Sequence, residues 1–377
     1  MSGTDRDTRQ LTQLRRRLLD WYEHNHRQLP WRQSRNPYAI WVSEIMLQQT
    51  RVAVVIERYT AFLNRFPTLV SLALAREEEV LALWSGLGYY RRARMLHKAA
   101  QFVASQYQGN LPVTAKELRK LPGIGDYTAA AIASIAHGEP VAVVDGNVER
   151  VICRLAGWSV EKSRDAAFKR QIAGQAQKLL HSRHPGEFNQ AMMELGAVIC
   201  TPRSPLCSSC PISAYCATQG EHKSAPRPKM TSREVAYALS VRTSPNLKGH
   251  SKGQEHGWRE VLLEQRSATE TVMPGMWELP ALVMPQVPED ELRMTVRHAI
   301  MQVNYYVRVR TVFEDDIRAL TVAGSQRRWV RLEDAGAMPL TGLARKVLTR
   351  AKLLPIPAVD SLTEPKPTHL QRAHEHQ

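Results

Sequence analysis

The chain has 377 residues, about twice the usual size of one domain, so two or three domains are expected. Lysine and arginine number 51 against 36 aspartates and glutamates, and the net charge of +15 attracts polyanions such as nucleic acid or anionic membranes. Apolar residues make up 43% of the chain, which excludes a disordered composition. No apolar stretch of about 18 residues predicts a membrane span, and residues 1–17 lack an apolar signal segment.

The N-terminal half of the sequence has a helical pattern. Apolar residues recur at i, i+3 and i+4 and predict helices over 11–21, 45–62, 76–83 and 95–107. Ser43-Glu44 and the segment from Thr114 to Glu117 are typical of helix starts. Residues 1–216 are therefore predicted to form one helical domain.

The pattern changes in the C-terminal part. Residues 217–232 contain two close prolines and few large apolar side chains, which predicts a linker. Alternating and β-branched residues then predict strands over 234–241, 259–265, 305–312 and 327–332, followed by a helix over 340–351. We expect an α+β domain over 233–354 and a flexible tail over the Pro- and His-rich residues 355–377.

Four of the five cysteines lie close together in the sequence. Cys200, Cys207, Cys210 and Cys216 are spaced C-x6-C-x2-C-x5-C, which favours a metal or cluster site in a reducing compartment over disulfide bonds. The spacing alone leaves zinc and a [4Fe–4S] cluster both open, because only one C-x2-C pair is present. Cys153 stands apart and is interpreted as a buried structural thiol.

A short turn containing Gly123 and Gly125 joins two predicted helices, in the sequence LPGIG. The two glycines let backbone N–H groups approach an anion, and the helix that starts near Asp126 adds its positive end. This turn is predicted to hold a nucleic-acid backbone without reading its sequence. An ordinary connection between two helices is the alternative.

Two carboxylates stand out because their surroundings are uncharged. Glu44 is the only charged residue between Tyr38 and Leu47, so it either caps a helix or lies in a dry pocket as a general acid. Asp145 precedes a predicted helix, and a simple N-cap is one interpretation. The other pairs the two carboxylates across a cleft, as in glycoside hydrolysis.

Several segments together resemble a known family. They are SEIMLQQT with Glu44, GLGYYRRAR at 86–94, LPGIGDYTAAAI at 121–132, VDGNVERV at 144–151 and the four cysteines. They resemble the MutY-type adenine DNA glycosylases, which are helix-hairpin-helix enzymes related to endonuclease III. Over residues 1–216 the resemblance implies a mostly α-helical catalytic domain with a helix-hairpin-helix and a [4Fe–4S] loop, which favours the cluster over zinc. It also implies removal of adenine mispaired with 8-oxoguanine or guanine in double-stranded DNA.

The resemblance implies roles for single residues. Glu44 would protonate adenine N7, Asp145 would stabilise or transiently bond the anomeric carbon, and Asn147 and Tyr127 would support this transition state. The implied DNA and substrate contacts are Gly123 and Gly125 in the hairpin, Trp31, Arg32 and Gln190 in the adenine pocket, and Gln49, Thr50, Leu87 and Tyr89 in the duplex or on the lesion base. Without the resemblance, Leu87 and Tyr89 are interpreted as core residues and Gln49 as part of a solvated helix face.

Tyr127 separates two activities. The same position in endonuclease III is a lysine that forms a Schiff base, which tyrosine cannot do, so we expect a monofunctional glycosylase. A glycosylase/lyase of the endonuclease III type and a non-catalytic iron–sulfur DNA-binding sensor are the alternatives. We expect a monomer that binds no membrane and is located in the bacterial cytoplasm at the nucleoid.

Residues 233–354 resemble a MutT/Nudix-like domain more weakly, with the best local match over 262–280. The acidic magnesium-binding pattern of Nudix hydrolases is missing, so the domain is expected to recognise the lesion and not to hydrolyse nucleotides. Where the family commonly carries a Phe-Ser-His element, this chain has Ile300, Met301 and Gln302. This difference leaves the discrimination between 8-oxoguanine and guanine open.

Overall fold

The computed structural model describes residues 3–159, 165–222, 229–244, 258–300, 302–322 and 326–355. The chain divides into two compact units, Met1–Met230 and Thr231–Gln377. No helix in the described part of the chain has the length and apolar character needed to cross a membrane.

The first unit is helical, as predicted. Its α-helices are α1 (Gly3–Asn25), α2 (Pro37–Leu47), α3 (Val52–Arg65), α4 (Leu69–Ala73), α5 (Glu77–Leu83), α6 (Arg91–Gln106), α7 (Ala115–Leu118), α8 (Asp126–His137), α9 (Gly146–Ala156), α10 (Ala166–Leu179) and α11 (Pro185–Val198). Short 3₁₀ helices lie at Pro30–Arg32, Cys207–Ser209 and Ser213–Tyr215.

Helix α2 lies in the middle of this unit and is buried on every side. Residues 38–46 are all buried, including the fully buried Trp41. A helix that is apolar all round is typical of a protein core. Glu44 is the only acidic group of this helix, so the fold places one carboxyl group in an apolar core.

Two predictions about α2 were wrong. The helix begins at Pro37 and not at Ser43, because the Asn36 side chain accepts hydrogen bonds from the backbone of the first turn and proline fits the first helical position. The single helix predicted over 45–62 is two helices, α2 and α3. Gln49 has a φ of 56°, a left-handed conformation that ends the helical hydrogen-bond pattern between them.

The predicted linker, residues 217–232, is shorter at both ends in the structure. The backbone N–H groups of Ala217 and Thr218 donate to the carbonyls of Leu155 and Arg154 at 3.2 Å each, so this segment is anchored to the end of α9. Strand pairing begins at Thr231. The middle of the segment, 223–228, lies outside the described residues.

The second unit is α+β, as predicted. Its strands are β1 (Thr231–Leu239), β2 (Val241–Ser244), β3 (Trp258–Gln265), β4 (Trp277–Glu278), β5 (Leu292–Ile300), β6 (Val303–Thr311) and β7 (Gln326–Arg331). Helices α12 (Ile317–Leu320), α13 (Leu332–Ala335) and α14 (Gly342–Arg350) follow or separate them, with 3₁₀ helices at Glu289–Glu291 and Glu314–Asp316. The short β4 and the long β5 were not predicted.

The strands form two sheets. In one, β6 pairs in parallel with β1 and antiparallel with β5. In the other, β3 pairs antiparallel with β2, β4 and β7. Helix α14 covers the core of this unit, and its buried Leu343, Val347 and Leu348 pack in one cluster with Val261 of β3 and Val307 of β6.

Residues 300–302, which replace the Phe-Ser-His element of the family, lie where β5 meets β6. Ile300 pairs with Val303, and the carbonyl of Gln302 accepts a hydrogen bond of 3.0 Å from the backbone of Thr231. The side chain of Gln302 is exposed. Met301 and the predicted tail from residue 356 onward lie outside the described residues.

Candidate active site

A cavity of about 540 Å³ in the helical unit collects most of the predicted functional residues. This volume is in the range of ordinary small-molecule sites. The predicted residues that line it are Trp31, Arg32, Glu44, Gln49, Thr50, Tyr127, Asp145, Asn147 and Gln190. The four predicted catalytic residues therefore lie in the same cavity as the predicted adenine pocket.

Glu44 enters this cavity from the buried helix α2 and is 5% exposed. Burial raises its pKa to about 7, although the hydrogen bond from the hydroxyl of Tyr127 opposes the rise; the nearby Asp145 adds to it. A carboxyl group with such a pKa is protonated in part at neutral pH. Glu44 is therefore suited to donate a proton to a bound group.

Asp145 is the N-cap of α9 and lines the same cavity. Its Oδ1 accepts a 2.7 Å hydrogen bond from the backbone of Val148, and its Oδ2 accepts one of 2.9 Å from the Asn147 side chain. Burial raises the pKa of Asp145, while these hydrogen bonds and the charge of Arg150 oppose the rise. The helix-cap interpretation is confirmed, and the cap is at the same time a wall of the cavity.

Asn147 is itself held by Arg150, a residue that was not predicted from the sequence. Arg150 Nη2 donates to Asn147 Oδ1 at 2.8 Å and to the carbonyl of Gly196 at 2.7 Å, and Nε donates to the carbonyl of Cys200 at 2.8 Å. Helices α9 and α11 meet at Gly196, where an added Cβ would lie 2.6 Å from the Cβ of Asn147. This contact fixes the position of the polar groups around Asp145.

The wall of the cavity also contains an ion-pair network centred on Glu194. Its Oε1 accepts hydrogen bonds from Arg27 at 2.8 Å and 3.0 Å, and its Oε2 accepts one from Arg32 at 2.7 Å. Burial alone would raise the pKa of Glu194, but the hydrogen bonds from the two arginines outweigh it and hold the pKa at about 2. The ion pair between Glu194 and Arg32 fixes the guanidinium of Arg32 in the predicted adenine pocket.

Arg27 and Glu194 also line the cavity, and neither was predicted from the sequence. Glu194 stands in the uncharged run AMMELGAV and had the same sequence signal as Glu44. Arg27 had no local signal, since its partner lies 167 residues further along the chain.

A second cavity, of about 360 Å³, lies between the predicted DNA-contacting segments. Gln49, Tyr89 and Gly123 line it together, and Tyr89 is 49% exposed. Leu87 differs, because its side chain is only 4% exposed and its backbone carbonyl accepts a hydrogen bond from Thr50 at 3.2 Å. The structure therefore supports core packing for the side chain of Leu87 and not a position on the surface.

The predicted hairpin lies between α7 and α8. Gly123 has a φ of 75°, and a Cβ there would lie 2.8 Å from the Cβ of Met95. Both the backbone conformation and the lack of space therefore require glycine. Gly125 is the N-cap of α8 and supplies no side-chain cap. The first N–H groups of this helix thus stay available to an anion.

The four clustered cysteines line one pocket together with Arg154. Arg154 is 2% exposed; its Nη1 lies 3.3 Å from the sulfur of Cys200, and its carbonyl lies 3.3 Å from the sulfur of Cys216. A buried cation beside thiolates compensates negative charge, so this donor set fits an anionic metal–thiolate group. Cys153 is fully buried elsewhere, and burial raises the pKa of its thiol to about 11, which supports a structural role.

Comparisons with known proteins agree with this geometry. Residues 42–173 match the HhH-GPD superfamily of base excision DNA repair proteins, and residues 200–216 match the iron–sulfur binding domain of endonuclease III. An adenine DNA glycosylase of Buchnera aphidicola subsp. Acyrthosiphon pisum is 34% identical over 250 residues, a match that covers 65% of this chain and 71% of that protein. The chain belongs to the adenine DNA glycosylase family.

A second adenine DNA glycosylase and the solved structure of another DNA glycosylase are also similar to this chain. The human adenine DNA glycosylase is 49% identical over 220 residues, which are 56% of this chain but only 40% of the human protein. The chain thus spans about two fifths of the length of that relative. The structure of a thermostable thymine-DNA glycosylase is 28% identical and covers 56% of this chain and 98% of its own, with a TM-score of 0.52.

The match over residues 200–216 also confirms the predicted cofactor. This supports a [4Fe–4S] cluster over zinc, and the cysteines of this segment that could hold it are Cys200, Cys207, Cys210 and Cys216. In this adenine DNA glycosylase family member, Arg150 and Arg154 of α9 contact the cluster loop. Asp145 caps the N-terminus of the same helix.

Proposed function

We propose that this protein is a monofunctional glycosylase that hydrolyses the N-glycosidic bond of adenine mispaired with 8-oxoguanine or guanine in double-stranded DNA. The observation that carries the proposal is the presence of Glu44 and Asp145 in one cavity, Glu44 with a pKa of about 7 and Asp145 held by hydrogen bonds that favour its charged form. Glycoside cleavage needs two carboxyl groups, one that donates a proton and one that stabilises the positive charge on the sugar.

Glu44 is the general acid in this mechanism. It donates its proton to N7 of the adenine, so that the base leaves as a neutral group. The hydroxyl of Tyr127 keeps the carboxyl group of Glu44 in one orientation within the apolar core. Trp31, Arg32 and Gln190 enclose the base and exclude water from it.

Asp145 stabilises the positive charge that develops on the deoxyribose as the bond breaks. Its hydrogen bonds from Val148 and Asn147 hold the carboxylate in place, and they favour its charged form. Asn147 orients Asp145 and so supports this transition state, and Arg150 in turn holds Asn147. Water then adds to the anomeric carbon, and an intact strand with an abasic site remains.

The adenine has to leave the base stack before this chemistry can occur, at a cost of a few kcal/mol. The exposed Tyr89 and the neighbouring Gln49 are positioned to fill the space left in the duplex. The hairpin with Gly123 and Gly125 binds the phosphate backbone, and the net charge of +15 strengthens this attraction.

The second unit is proposed to be a MutT/Nudix-like domain that recognises the base opposite adenine. Because Ile300 and Gln302 occupy the position of the Phe-Ser-His element, we propose a weaker preference for 8-oxoguanine over guanine. Tyr127 supplies no amine for strand cleavage, so the protein acts without lyase chemistry. We further propose that it works as a monomer on the bacterial nucleoid.

An excision assay tests the proposal. Purified protein is incubated with end-labelled duplexes that contain adenine opposite 8-oxoguanine, guanine or thymine, and strand breaks are measured with and without hot alkali. We expect breaks at adenine only after alkali, only opposite the two purines, and none with Asp145→Asn. Breaks without alkali would support a glycosylase/lyase instead, and tight binding without breaks would support a DNA-binding sensor.

A further inference from the structure

The guanidinium of Arg92 is shared between two segments that are distant in sequence. Its Nη1 donates to the carbonyls of Ile45 at 2.7 Å and Met46 at 2.9 Å, and it also donates to that of Gln48. These groups form the end of α2 and the start of the turn that follows. One nitrogen of Arg92 therefore holds the C-terminal end of the helix that carries Glu44.

The other terminal nitrogen of Arg92 reaches the second segment. Its Nη2 donates to Thr50 Oγ1 at 3.0 Å, to the carbonyl of Leu87 at 2.9 Å and to that of Gly88 at 3.0 Å. The flat guanidinium also lies 5.4 Å from the ring centre of Trp84 and 5.7 Å from that of Tyr89. One side chain thus joins the turn 48–50 to the loop 86–89.

Both segments hold a residue in a strained backbone conformation. Gln49 has a φ of 56° and Tyr89 one of 48°, in the left-handed region that side chains other than glycine rarely adopt. Such conformations cost free energy and persist only where the surroundings fix them. Both side chains line the second cavity, so the strained residues are also the ones that face the proposed DNA site.

Burial of this cation has a cost that ordinary surface arginines do not carry. Burial lowers the pKa of Arg92 to about 10, and its Nε is a buried donor without a hydrogen-bond partner in the described part of the chain. The acceptors are mainly backbone carbonyls and include no carboxylate. None of these acceptors carries a negative charge that would neutralise the guanidinium. The buried group therefore serves to hold the backbone of the two segments.

We propose that Arg92 is a positioning residue that locks the turn 48–50 and the loop 86–89 into one arrangement, so that Gln49 and Tyr89 enter the duplex together when adenine is extruded. This proposal rests on the proposed function. Arg92 acts on base extrusion through these two segments and does not touch the adenine. Its loss is therefore most costly where a base pair has to be opened.

The variant Arg92→Lys tests the geometry, because an ammonium group keeps the charge but cannot reach acceptors on both segments at once. Arg94→Lys is the matched control: it lies on the same helix, and its carboxylate partner Glu77, at 2.8 Å, can also pair with lysine. Absorbance of the cluster and the melting temperature show whether each variant is folded. Thr50→Val serves as a milder second variant, because it removes one acceptor of Arg92 and the hydrogen bond of 3.2 Å from Thr50 to the Leu87 carbonyl, both of which join the same two segments.

Single-turnover excision is measured on two duplexes, one with adenine opposite 8-oxoguanine and one with the same adenine opposite an abasic analogue, where no pair has to be opened. We expect Arg92→Lys to lose about tenfold or more on the paired duplex and clearly less on the unpaired one. Thr50→Val should show the same pattern at smaller size, and Arg94→Lys should match the wild type on both. A 2-aminopurine beside the adenine should show delayed unstacking with Arg92→Lys.

Equal losses on both duplexes, or a wild-type rate of Arg92→Lys on the paired duplex, would overturn the positioning role. If Arg92→Lys does not retain the cluster, Thr50→Val is used in its place. Equal losses of excision rate on the two duplexes with that variant would also overturn the positioning role. Failure of the proposed function is distinguishable, since the wild-type protein would then release adenine from neither duplex.

Discussion

Tyr127 on α8 donates its hydroxyl hydrogen bond to Glu44 on α2, so the proposed acid has one defined polar partner inside an apolar core. The hydrogen bond lowers the pKa of Glu44, while burial raises it to about 7 overall. The two effects together set the pH range in which Glu44 can donate a proton. They also make Tyr127 the residue through which this range can be tested.

The pH dependence of excision should move when this hydrogen bond is removed. The protonated form of Glu44 is the active one, so the wild-type rate should fall as the pH rises through about 7. Tyr127→Phe removes the interaction that lowers the pKa of Glu44, and the fall should shift to higher pH. Single-turnover rates across the range measure this shift, with the remote Tyr107→Phe as control; an unchanged alkaline limb would argue against Glu44 as the acid.

Glu194 should control stability at low pH. Its pKa in the folded protein is about 2 against an ordinary value of 4.5, so it stabilises the fold above pH 4.5 and this stability is lost as the pH falls toward 2. Glu194→Gln leaves two arginines without their carboxylate and should cost roughly 3 kcal/mol at neutral pH. It should also flatten the acid side of the stability curve.

Chemical denaturation of the whole chain at several pH values measures this effect. Glu187→Gln is the control, because its partner Arg35 is largely exposed and such pairs contribute about 0.5 kcal/mol or less. Similar losses in the free energy of unfolding of the two variants would mean that the buried network around Glu194 stabilises the fold no more than an exposed ion pair does.

Gly196→Ala should damage catalysis more than folding. The added Cβ would lie 2.6 Å from the Cβ of Asn147 and would displace the start of α9, where Asp145 is the cap. We expect at least a tenfold slower excision, on the order expected for a small misplacement of a reacting group, with the cluster retained. Gly174→Ala is the control, because its Cβ would meet nothing within 4 Å and alanine is the better helix former.

Leu87→Ala should destabilise the protein in the absence of DNA. A leucine that is 4% exposed belongs to the core, and its truncation should cost about 2–5 kcal/mol. Leu74→Ala, at a position that is 81% exposed, should change the stability little. A loss of excision by Leu87→Ala at unchanged stability would instead support the original expectation that the side chain enters the duplex.

The sequence predicted the helical unit, the cysteine ligands and the two carboxylates, because each has a local signal. Hydrophobic periodicity marks the helices, spacing marks the cysteines, and an uncharged neighbourhood marks Glu44. The break at Gln49 had no such signal, since glutamine is an ordinary helix former and the contacts of Arg92 with Gln48 and Thr50 on either side of it come from a distant part of the chain.

Contacts between distant segments account for the remaining omissions. The pairing of Arg27 with Glu194 and the three-way contact of Arg150 depend on the packing of α11 against its neighbours. The strand β5 was missed because its exposed face is rich in polar residues and its pairing with β6 fixes it. These interactions arise only once the chain has folded.

Asp145 caps α9 and, under the proposed function, also stabilises the positive charge on the sugar, so a substitution there can remove one role and keep the other. A replacement that still caps α9, such as asparagine, keeps the helix start but carries no charge for the sugar. Under the proposed function, such a variant would stay folded, keep its cluster and still occupy mispairs that it cannot process. Loss of the charge would then produce an obstacle to other repair proteins at the damaged site, which is a different consequence from the absence of the enzyme.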